Sequence, residues 1–147
     1  MELLSADTGN WDMVKLFSLD ANPKYFDRRP LGPDHIIVTP YKVPNCTIGY
    51  VLKKSAAQRL LDCSIPFFRP VDEDHKFFWE KELQVALVVP PPITIGDQQT
   101  TTGTINEDRR AARPAELTGR ILQGFRNLVY QICYKTLLHW HRTTRQR

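Results

Sequence analysis

The segment Leu83–Val89 reads Leu-Gln-Val-Ala-Leu-Val-Val and runs directly into Pro90, Pro91 and Pro92. An apolar run this continuous has almost no polar face to turn to water. As a strand it is buried on both sides, which places it inside a covered sheet. The prolines offer no amide hydrogen for a ladder, so the strand ends at them. A sheet built around such a strand needs helices on its faces, and the expected class is α/β.

The remaining segments fit that class. Trp11–Leu19 is short, apolar and closed by Asp20-Ala21-Asn22-Pro23, the pattern of a strand followed by a turn. Residues 20–34 hold Pro23, Pro30, Gly32 and Pro33 and read as loop. Ile36–Thr39, stopped by Pro40, gives a second strand, and Thr47–Leu52 a third. The period then changes. Ser55-Ala56-Ala57-Gln58 has the form of a capping box, and Ala56, Ala57, Leu60 and Leu61 supply one apolar helix face before Pro66. Thr94–Asn106 is polar, rich in threonine, and reads as an exposed loop. From Pro114 a long helix is expected. Leu117, Ile121, Phe125, Leu128, Val129 and Ile132 recur every three or four residues, with Arg120, Arg126 and Lys135 on other faces. Gly119 and Gly124 weaken it by up to ~1 kcal/mol each.

At 147 residues, with 41% hydrophobic and 24% charged side chains, the composition is that of an ordinary globular chain, with one domain as the default. No window reaches the ~18 consecutive apolar residues of a spanning helix. The N-terminus lacks the basic start and apolar core of a secretion signal, so a cytoplasmic location is expected. Cys46, Cys63 and Cys133 are odd in number and widely spaced, which suits reduced thiols better than a disulfide framework or a zinc site. Charge is unevenly distributed. Residues 1–108 carry 11 basic and 15 acidic side chains, and residues 109–147 carry nine basic and one acidic. A basic amphipathic helix at 114–147 can pack on the domain, lie on an anionic membrane surface, or bind nucleic acid. No recognised nucleic-acid motif accompanies the charge, so nucleic acid is the least expected of the three.

The most unusual local chemistry is Pro70-Val71-Asp72-Glu73-Asp74-His75. Three adjacent carboxylates repel one another, and crowding of this kind raises affinity for protons or for a cation. The plain structural reading is a solvated turn, or acids favouring the N-terminus of a helix at Lys76–Glu82. His75 reads as a surface histidine.

Together, Ile48-Gly49-Tyr50-Val51-Leu52 with Ala57, Leu60 and Leu61, and Pro70-Val71-Asp72-Glu73, resemble the second half of glycosyltransferase family 25. Trp11, Asp12 and Leu16 resemble its mid-domain strand, and Val85–Thr94 the apolar strand that runs into prolines. The match covers roughly residues 3–105 in order. The resemblance implies residues 1–106 as the C-terminal portion of a GT-A-like nucleotide-sugar fold, a mixed sheet with short helices, followed by a basic helical tail at 107–147. It implies transfer of a hexose, usually galactose in the family, from a nucleoside diphosphate sugar to a lipid-linked or oligosaccharide acceptor of lipopolysaccharide type. Inversion by direct displacement needs a base for the acceptor hydroxyl. Asp72 and then Glu73 are the expected carboxylates, with Asp74 and His75 as weaker candidates. Tyr50 would stack on a sugar or base, and Gly49 and Thr47 would line the cleft. The family also implies Mn²⁺ or Mg²⁺ on the diphosphate. Its Glu-Asp-Asp motif lies upstream of the Trp-Asp strand and has no counterpart before Trp11, so the cation's ligands are expected to be missing from these residues. The alternative is a shortened, noncatalytic family member acting as a membrane-surface or partner-binding module.

Overall fold

The structure is a computed structural model, and it describes residues 4, 7, 9–20, 22–96 and 117–144. The chain forms two compact units, residues 1–94 and 95–147.

The first unit is a mixed α/β layer structure. Five strands, β1 (Met13–Lys15), β2 (Tyr25–Leu31), β3 (His35–Pro40), β4 (Tyr50–Leu52) and β5 (Val85–Val89), lie in the order β2-β3-β5-β1-β4. β1 and β5 are parallel, and the other three pairings are antiparallel. The apolar run therefore sits where its composition requires, in the centre, with Val85, Ala86, Leu87 and Val88 all buried.

Side-chain alternation divides the core. Val14, Ile37, Ala86 and Val88 face one side with Trp11 and Leu31. Met13, Lys15 and Leu87 face the other, and all three are fully buried. That second face is covered by a one-turn helix α2 (Val71–Asp74) running into a 3₁₀ helix (His75–Lys81), since His75 reaches Lys15 there. The acidic segment is thus helical, and the acids occupy its first turn. Glu82, with φ 51°, turns the chain out of the 3₁₀ helix toward β5.

Asp12 ties three elements together. Its Oδ2 accepts the Gln84 amide at 2.9 Å at the head of β5, and its Oδ1 lies 2.5 Å from Arg59 on helix α1 (Lys54–Ser64). Its carbonyl accepts the Lys53 amide at 3.0 Å.

Three local expectations are corrected. Residues 20–34 are not all loop, because Tyr25–Leu31 forms β2, paired along its length with β3 through a turn at Gly32, φ 74°. Apart from Leu31 and the partly buried Arg29, this edge strand is exposed, so it carries no hydrophobic alternation. The capping box does not form. Helix α1 starts at Lys54 with Lys53 as N-cap and no side-chain cap, and Gln58 donates to Asp62 instead. His75 is not a surface histidine: it is 3% exposed.

The second unit contains helix α3 (Leu117–Thr144). Its expected apolar residues Ile121, Phe125, Leu128, Val129 and Ile132 are all exposed, whereas Tyr134 and Leu138 are buried. The helix start at 114–116 and most of the threonine-rich stretch lie outside the described residues.

Candidate active site

Lys15 ends β1 and stands in register with Tyr50 on β4 and Leu87 on β5. It is 0% exposed. Its ammonium donates to the Cys46 carbonyl at 2.7 Å and to His75 Nδ1 at 2.8 Å. An ammonium has only donors, so Nδ1 accepts and the neutral ring carries its proton on Nε2. The Tyr50 ring meets the His75 ring edge-on at 5.3 Å, and Lys15 Nζ lies 5.2 Å from the Tyr50 centroid. Asp72 is close enough to both Lys15 and His75 that its charge raises their proton affinities. Burial outweighs it at both groups. Lys15 is pushed down to about 8, against the pull of Cys46 and Asp72. His75 is pushed down to about 4, by burial first and the Lys15 cation second.

Of the residues singled out in the sequence, Asp72, Tyr50 and the weaker candidate His75 therefore belong to one cluster. Tyr50 keeps 39% of its surface exposed, and Asp72 is half-buried. Glu73 is committed to Lys76 at 2.8 Å. Asp74 is a structural carboxylate, buried and held by Lys81 at 2.8 Å and Ser64 at 3.1 Å. Gly49 bonds through its carbonyl to the Leu16 amide at 3.0 Å, and a Cβ there would strike the δ-methyl of Ile93. Thr47 is exposed beside Cys46. A cleft of about 230 Å³ opens after β1, between Ser18–Asp20 and Lys42–Cys46, and it shares Cys46 with the cluster. Typical ligand pockets hold ~300–1,000 Å³, so this cleft suits a small group rather than a whole nucleotide sugar.

Lys15 is the member that the sequence reading missed, and His75 was a weaker candidate read as a surface residue. A single cation in Met13-Val14-Lys15-Leu16-Phe17 was the available signal, since alternation puts Lys15 on the same face as Met13 and Phe17.

The donor set does not fit a divalent cation. Among the described residues no three His, Cys, Asp or Glu side chains converge. Asp12, Glu73 and Asp74 already neutralise Arg59, Lys76 and Lys81, and the Asp72 charge acts on Lys15.

The depressed His75 has a measurable consequence. Unfolded, it titrates near 6.5, and folded, at about 4. Between those values the unfolded chain binds the extra proton, so stability falls as pH drops through the window and is fully retained above it. At ~1.4 kcal/mol per unit the loss is roughly 3 kcal/mol. Lys15, Asp72, Asp74 and Lys81 all act on this ring. Urea titrations at several pH values should show the loss in the wild type. His75→Asn keeps an acceptor for Lys15, and in it the His75 share of the loss should disappear.

No family model matches the chain, and no curated protein or solved structure matches it.

Proposed function

We propose that this chain is a sugar transferase of the family 25 type, moving a hexose, galactose by the family's habit, from a nucleoside diphosphate donor to a glycan acceptor of lipopolysaccharide type. The observation that carries this reading is the placement of Asp72 beside the Lys15–His75 pair and the exposed ring of Tyr50. A GT-A-like sheet is part of the proposal, as is the family resemblance that suggests it.

In this reading the Asp72 carboxylate takes the acceptor hydroxyl proton as its oxygen bonds to the anomeric carbon. The bond from that carbon to the diphosphate oxygen breaks in the same step, and the electron pair leaves with the diphosphate. Lys15 holds His75 neutral and fixed, and Tyr50 gives a sugar face an apolar surface. Glu73, paired with Lys76, is the lesser candidate.

A noncatalytic module is the second reading. It is favoured by the engagement of Asp12, Glu73 and Asp74 with cations of the chain itself. The deciding experiment incubates the full chain with uridine diphosphate galactose, Mn²⁺ and a truncated lipopolysaccharide acceptor. Labelled sugar in the acceptor supports transfer. Neither donor binding by calorimetry nor incorporation supports the noncatalytic module.

A further inference from the structure

Helix α3 exposes a stripe of large apolar side chains, Ile121, Leu122, Phe125, Leu128, Val129 and Ile132, with Trp140 in line near its end. Spacings of three and four residues put them on one arc of the helix. Contiguous apolar surface on this scale marks an interaction site. Its surroundings indicate the partner. From Leu117 to Thr144 the helix carries Arg120, Arg126, Lys135 and Arg142 and no acidic residue. Arg126 and Lys135 border opposite sides of the stripe by helical position. Among the described residues neither makes an ion pair.

We infer that α3 lies in the plane of an anionic lipid surface, with the Ile121–Ile132 stripe in the acyl boundary and the flanking cations at the headgroups. A second copy of the chain fits less well. Two paired α3 helices would bring cations together with no carboxylate between residues 117 and 144 to offset them. Insertion across the bilayer does not fit either, since no helix among the described residues is long and apolar enough to span. An apolar face bordered by cations, with a tryptophan near one end, matches a helix lying at the interface. The inference does not depend on the sugar-transfer reading.

Flotation of the full chain with vesicles tests it. The chain should float with phosphatidylcholine vesicles containing phosphatidylglycerol, release at high salt, and stay behind with phosphatidylcholine alone. Arg126→Gln with Lys135→Gln should weaken binding about 30-fold, from the usual contribution of a basic residue near a charged surface. Phe125→Glu with Ile132→Glu should abolish it, with helix content by circular dichroism unchanged because glutamate is a good helix former. Failure to float, or equal flotation on neutral vesicles, overturns the inference. So does a concentration-dependent doubling of mass that Phe125→Glu removes, which would assign the stripe to a second copy. A drop in the unfolding transition in the double-glutamate variant, with flotation retained, would assign it to packing within the chain.

Discussion

Asp72→Asn is expected to reduce sugar transfer by about 10²–10⁴-fold, the usual range for removing a general base. The side chain keeps its shape and loses its ability to take a proton. Stability should change by less than about 1 kcal/mol, because Asp72 is half-buried and no hydrogen bond among the described residues depends on its carboxylate. The loss should fall on kcat, with donor affinity nearly unchanged, if Asp72 is the acceptor-side base proposed above. Glu73→Gln should have a much smaller effect, because Glu73 is engaged with Lys76. Equal rates for wild type and Asp72→Asn would remove Asp72 from the chemistry. A loss of stability with kcat retained would make it a structural residue. The measurement is initial-rate kinetics on both variants, with urea unfolding as the control.

Lys81→Met should cost about 3–5 kcal/mol of unfolding free energy, measured by urea denaturation. The Lys81 side chain is 2% exposed and that of Asp74 is 10% exposed, and they meet at 2.8 Å. Removing the cation leaves a buried carboxylate with Ser64 Oγ at 3.1 Å and Arg69 at 3.7 Å. Those two contacts point to the lower end of the range. Adding Asp74→Leu removes the orphaned charge, and the double variant should recover most of the loss. The coupling between the two positions, rather than either single value, is the decisive quantity.

Burial accounts for what could be read in the sequence. β5 was legible because both its faces are buried, and β3 and the end of β4 because their apolar runs stop at prolines or at a change of period. β2 was hidden for the opposite reason: most of its side chains face water, and Pro30 argued against a strand. Helix α3 was legible from its period alone, yet that period says nothing of what the apolar face meets. In the site, the carboxylates and Tyr50 carried their own signals in local sequence. The Lys15–His75 contact joins residues 60 apart, and only the fold brings them together. Asp74 was grouped with its neighbours in sequence. It shares their helical turn but not their role, meeting Lys81 while Asp72 lies near Lys15.

The parallel pairing of Met13 with Val85 has a consequence for how the molecule is made. The hairpin of β2 and β3 is local, and it can close while most of the chain is still unordered. The central pair cannot. It must bring together the two ends of a long loop that contains β2, β3, β4, α1, α2 and the 3₁₀ helix. Closing that loop costs entropy before any central contact repays it, which makes folding slow. On the ribosome, Lys15 can acquire its histidine only shortly before β5 emerges to pair with β1, so the site and the middle of the sheet are completed together, after the β2–β3 hairpin.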